Sequence, residues 1–179
     1  MSDIEKSFSN LAKGVGRTIR MTHAAVVACA AAILDHDLER SIKTLMRPLN
    51  SKLDKSLFTG YGPLSTFSSK IDMAYALGII SSDVHREMNK IREIRNKFAH
   101  SKALLSLDQA PIVDTFNNLH KPAGARGAVT EVFMLCVSEL NDVLEKYLLS
   151  KGITDDLSDK NTPPELRSIK LSKEKPPTA

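Results

Sequence analysis

Wherever apolar residues cluster in this sequence they recur every three or four positions, and no segment alternates apolar with polar residues over the length of a strand. That spacing is the signature of helices with one face turned inward. It is shown by Leu38, Ile42, Leu45 and Leu49, and again by Leu64, Phe67, Ile71, Ala74 and Tyr75. Gly and Pro are sparse through the middle of the chain, where Ala, Leu, Ile, Lys and Glu dominate, and this composition also favours helix. The expectation is an all-α protein, a single-domain multi-helix bundle over residues 1–152. Residues 153–179 carry four prolines and little apolar content, which predicts a mobile C-terminal tail.

Local signals place the elements. An opening helix is expected from Asp3 to about Lys13, broken by Gly14-Val15-Gly16, with a second from Arg17 to about Asp35. The second is apolar nearly all round, which puts it at the centre of the bundle. A third helix follows from "DHDLERSIKTLMRPL", ended by Pro48. Residues 50–62 read as a connector, with Pro63 in the first turn of the next helix and Gly78 as its C-terminal cap. Ser81, Ser82 and Asp83 offer an N-cap for the helix that carries Ile91 to His100. A shorter helix near 111–119 and a long one from about Ala128 to Leu149 complete the set.

Charge and composition exclude several functions. Aromatic residues make up 5% of the chain and Trp is absent, so the raw material of base-stacking platforms is thin. The net charge is +4, with residues 81–102 carrying six Lys/Arg against three Asp/Glu. That excess reads as a solvated helix face before it reads as a nucleic-acid arm. Cys29 and Cys136 both sit in apolar runs and are expected as buried free thiols in a reducing compartment, without metal-ligand spacing. The longest apolar run, Ala24 to Leu34, is eleven residues and too short to span a bilayer. With a polar N-terminus, these features predict a cytoplasmic protein with no membrane role and no cofactor.

The most specific stretch is "IREIRNKFAH", Ile91 to His100. Val84, Met88, Ile91 and Phe98 form its inward stripe, and Arg95 is expected along the inward edge. Asn96 and His100 lie four apart on a neighbouring side, whereas Arg95 and His100 are roughly 140° apart around a straight helix. Two readings stay open. In the structural one, Asn96 and His100 bond backbone carbonyls and Arg95 pairs across to another helix, a polar lock. In the catalytic one, His100 moves a proton, Arg95 clamps a phosphate and Asn96 orients the substrate in metal-free RNA cleavage.

"RNKFAH", Arg95 to His100, resembles the R-x4-H motif of the HEPN superfamily of helical nucleases and nucleic-acid-associated proteins. A longer likeness covers roughly Leu57 to Leu149. There "LFTGYGPLSTFSSKIDMAYALGII", followed by "IREIRNKFAHS", resembles the mannitol operon repressor family. The resemblance implies an all-helical transcriptional regulator of sugar-alcohol uptake. No short glycine turn leading into a base-reading helix is evident, so direct DNA binding is disfavoured and action through another regulatory protein, with a homodimer in view, is preferred. The alternative is a HEPN-type RNase, with RNA as the partner.

Other candidates carry less. Arg92, Arg95, Asn96 and His100 are the motif residues; Tyr61, Ser65 and Ser68 are contact candidates at the "GYGPLS" turn, where helix-start polarity explains the serines equally well. That turn lacks the Lys-Ser/Thr ending of a phosphate loop. His23, His36, His85 and His120 are scattered, and His36 between two aspartates reads better as a solvated junction than as a metal site. No nucleophile, base and orienting group fall together. A conventional active site is not expected.

Overall fold

The computed structural model describes residues 3–153 and is helical throughout, with no strand among the described residues. The expected tail, 153–179, lies outside them but for its first residue. Six helices follow in order: α1 (Asp3–Lys43), α2 (Ser51–Phe58), α3 (Phe67–Ala76), α4 (Ser82–His100), α5 (Val113–Asn117) and α6 (Val129–Ser150). α1 packs most extensively on α6 and also on α3 and α4, while α4 touches α3, α5 and α6 as well. Their inward stripes make one core, with Leu34, Leu38 and Ile42 of α1, Ile71 of α3, Met88, Ile91 and Ile94 of α4, and Phe133 and Leu144 of α6. Thr44 and Tyr147, hydroxyls 3.2 Å apart, tie the end of α1 to α6.

The three helices expected over residues 3–49 are one. Gly14 and Gly16 do not break α1, because each holds ordinary negative-φ backbone and nothing forces a turn. A helical glycine costs about 1 kcal/mol against alanine, a penalty but not a stop. Asp35 and Asp37 do not break it either: Asp37 is buried and receives Arg40 at 3.2 Å, so the helix runs on into Leu38 and Ile42. α1 is also not buried all round. Val27, Ala30 and Leu34 are inside, whereas Ala25, Cys29 and Ala32 face outward, so the expected burial of Cys29 is corrected and only Cys136 is a buried thiol. By length and composition α1 passes for a membrane span, but its inner stripe belongs to the core of the bundle.

The expected connector contains α2, capped by Asn50, whose side chain accepts from the Leu53 N–H at 2.9 Å. α3 starts later than Pro63, at a capping box between Thr66 and Ser69. Between them Gly62 is obligatory. A Cβ there would stand 2.4 Å from the carbonyl oxygens of Ser56 and Leu57, which are backbone and cannot step aside. The Ser81 cap of α4 and the span of α6 match the sequence reading.

Candidate functional site

α4 is the central helix, and its inner stripe of Met88, Ile91 and Ile94 leaves one polar face outward. Asn89, Arg92, Asn96 and His100 recur on that face every three or four residues and line an open trough of about 500 Å³, with Arg86 and Lys90 at one end. Arg92 donates to the Asn89 side-chain oxygen at 3.0 Å. Lys90 donates to Glu87 and to the Asn118 carbonyl. Lys97 is committed to α5, donating to the Pro111 carbonyl at 3.1 Å and to Thr115 at 3.0 Å, with Glu93 2.7 Å away. Hydrogen bonds from Lys97 and then Thr115 hold the Glu93 carboxyl below its ordinary value, so the one acid in the trough is ionised and already paired. His100 is exposed and finds no hydrogen-bond partner among the described residues.

Arg95 is not on the inward edge. It is exposed, and its guanidinium donates to the Asn96 side-chain oxygen at 3.1 Å. The inward position falls to Ile94 instead, one residue earlier, because the stripe follows the true helical period. Arg95 borders a different cleft, of about 400 Å³, shared with Ala28, Ala32 and Asp35 of α1 and with Ser65 and Phe67 at the start of α3. The motif is therefore split. Asn96 and His100 face the trough, Arg95 faces the cleft beside α1, and among the described residues neither of these two cavities holds both Arg95 and His100. Of the other candidates, Ser65 reaches the Arg95 cleft while its hydroxyl donates to the Gly62 carbonyl at 2.7 Å. Tyr61 is fully exposed, and Ser68 is half-buried in the first turn of α3.

Two polar clusters escaped the sequence reading. Buried Lys70 of α3 sits 2.8 Å from Glu39 and 3.1 Å from Asp35 of α1, and Lys43 bridges Glu39 and Asp54. Burial alone would raise the Glu39 carboxyl, but hydrogen bonds from Lys43 and Lys70 outweigh it and hold it below the usual carboxylate value. Burial likewise opposes the Lys43 charge, and Asp54 and Glu39 overcome it, so its pKa is raised. The second cluster surrounds buried His23. Its Nδ1 accepts the Leu107 N–H at 3.1 Å and lies 2.9 Å from the Ser106 hydroxyl, which in turn bonds Asp108. That bond lowers the Asp108 pKa. The order Asp–Ser–His, with the serine between and buried, is a clamp on the 101–110 loop and not a nucleophile set. Glu39 and Lys43 are four apart on α1 and Ser106 and Asp108 two apart in one loop, but Lys70 joins Asp35 and Glu39, and His23 joins Ser106, only across elements far apart in the chain.

A third cleft, of about 420 Å³ between α4 and α6, is edged by Glu87, His120, Cys136 and Glu139. Burial pushes the Cys136 thiol up, which removes it as a thiolate nucleophile. Among the described residues no three His, Cys, Asp or Glu side chains are placed to hold a metal. The α3–α4 junction does contain a glycine turn, Gly78 at φ +70°, but Ile79 and Ile80 in it are buried. The first turn of α4 presents Asp83, which engages Arg86, so an acid and a neutralised cation stand where a recognition helix meets DNA.

The family model for the mannitol repressor matches residues 23–147. The chain belongs to the mannitol repressor family. For this mannitol repressor-family chain, the match begins at the His23 clamp and ends at Tyr147, which bonds Thr44, so it covers the bundle and leaves residues 3–22 of α1 outside. Among solved structures, the X-ray structure of the MtlR–HPr complex from Escherichia coli matches with a TM-score of 0.48 and 17% identity, over 72% of this chain and 88% of that one. Among curated proteins nothing matches.

Proposed function

We propose that this chain is a cytoplasmic regulator of sugar-alcohol uptake that acts by docking another protein on the polar face of α4, without reading DNA itself. Family membership supports the regulatory role. The observation that carries the docking face is the trough along α4, where, among the described residues, the Arg92 guanidinium hydrogen-bonds only the neutral Asn89 side chain and the one acid, Glu93, is already paired with Lys97. Such a surface suits an acidic partner surface: long-range attraction to the Arg92 charge steers the encounter, and Asn89 and Asn96 supply neutral hydrogen bonds. The trough is shallow and open, which fits a flat protein surface better than a small molecule.

The partner to try first is an HPr-type protein, the companion of MtlR in the Escherichia coli complex. Titration calorimetry should show binding by the wild-type chain. Arg92→Glu should weaken it by about tenfold or more, the equivalent of about 1.4 kcal/mol, with little change in melting temperature. Equal affinity in wild type and Arg92→Glu would move the docking face elsewhere. Salt-dependent binding of the chain to operator DNA, with a slope set by the phosphates contacted, would replace the protein-docking reading with a DNA-binding one.

A further inference from the structure

The first buried residue of α1 is His23. The helix before it, residues 3–22, is an arm about 30 Å long at 1.5 Å per residue. Along it, Ile4, Phe8 and Leu11 are 71%, 70% and 64% exposed, and Val15 is about half exposed. Most helical stability in proteins comes from packing an apolar face, these apolar side chains are exposed, and Gly14 and Gly16 weaken the helix further. Something must cover the apolar side for the arm to be stable.

The pattern says what. Ile4, Phe8, Leu11, Val15, Thr18, Thr22, Ala25 and Cys29 are spaced alternately by four and three, the 3.5-residue repeat of a helix that pairs with another helix. The seam does not stop where the arm joins the bundle, because Ala25, Cys29 and Ala32 are also exposed. Its large residues all lie in the first half and its small ones in the second. We propose that the arm pairs antiparallel with α1 of a second copy of this chain. In the register that sets Ile4 against Cys29, Phe8 falls on Ala25, Leu11 on Thr22 and Val15 on Thr18 of the other copy, so every layer opposes a large side chain to a smaller one. The flanking positions follow the rule, Met21 sharing a side with Gly14 and Ile19 with Ala12, each pair offset by two residues from level. A parallel pair would stack Phe8 on Phe8 and leave the threonine and alanine layers thin.

A lipid surface is the competing occupant, and the gradation of the seam disfavours it. Lys6, Lys13, Arg17 and Arg20 lie roughly 140–180° around the helix from the seam. Interfacial helices also carry Lys and Arg on their polar face, so charge alone does not separate the two occupants. A bilayer selects no match of large residues in one half of a seam to small ones in the other, whereas an antiparallel second copy does, and two copies meet without bringing a basic charge between them. The pairing is independent of the α4 docking face, and the arm lies outside the family match.

Sedimentation velocity of the full chain at tens of micromolar tests it. The expected species has twice the 19.7 kDa chain mass, and Phe8→Glu/Leu11→Glu halves that mass. Register is read separately: Ile4→Cys, mildly oxidised, should give a reducible dimer whose peptide map links Cys29 to the introduced thiol, and adding Cys29→Ser should abolish it. A wild-type monomer overturns the proposal, as does a dimer that survives the double glutamate variant. A cross-link joining the two introduced thiols to each other overturns the antiparallel register. Flotation of a wild-type monomer with anionic phosphatidylglycerol vesicles would give the arm to a lipid surface instead.

Discussion

At the level of single residues, burial decides which polar groups matter to the fold, and it does not follow the motif. Arg95 and His100 are exposed, so Arg95→Ala and His100→Ala should each change stability by no more than about 0.5 kcal/mol in urea unfolding. A buried lock would cost several times that. His23→Ala, by contrast, strands the Leu107 N–H in the interior and should cost about 1–3 kcal/mol by the same measurement. For catalysis, the separation of Arg95 from His100 into two cavities leads us to expect no EDTA-resistant cleavage of single-stranded RNA by the chain. Cleavage lost in His100→Ala would restore the RNase reading. The motif itself was legible in the sequence; that its arginine and histidine face different clefts was not, because a one-residue shift of the inward stripe, from Arg95 to Ile94, depends on what α4 packs against.

Among the elements, the ion network between α1 and α3 gives a pH dependence whose sign can be worked out. Glu39 has a lowered pKa, so its contribution is fully present above the unfolded value, near 4.5, and is lost as pH falls through the folded one. Lys43 has a raised pKa, so its contribution is complete below 10.5 and fades as pH rises beyond it. Urea midpoints should therefore fall on acidification below about pH 4.5, and Lys70→Met should flatten that acid limb while lowering stability at neutral pH. An acid limb unchanged in Lys70→Met would remove Lys70 as its cause. Backbone constraint acts at the start of α6. Gly127 has φ +122°, and a Cβ there would collide with the Glu131 carboxylate, which accepts the Ala128 N–H at 3.0 Å. Gly127→Ala should thus lose both the relaxed backbone and the helix cap, about 1–3 kcal/mol together, visible as a melting temperature lowered by several degrees.

For the molecule as a whole, residues decided by near neighbours were readable from the chain and those decided by distant ones were not. The helical period, the Ser81 cap, the span of α6 and the family likeness are all local patterns, and a helix with a strong apolar stripe forms where its sequence says. The break expected at Asp35 is absent because Leu34 and Leu38 on either side of it are held in the core, and the one at Gly14-Val15-Gly16 because helical glycines weaken a helix without forcing a turn. Cys29 sits in an apolar run yet is exposed, and Lys70 is charged yet buried. Sequence by itself determined that this protein is a helical bundle of the mannitol repressor kind with an excess of basic residues over 81–102. Only the tertiary structure decided which side of each helix is covered, and so which charges are paired, which cleft each motif residue borders, and which length of α1 is left with an apolar seam. The physical reason is that a side chain's burial is set by the helix packed against it, and that neighbour comes from another part of the chain.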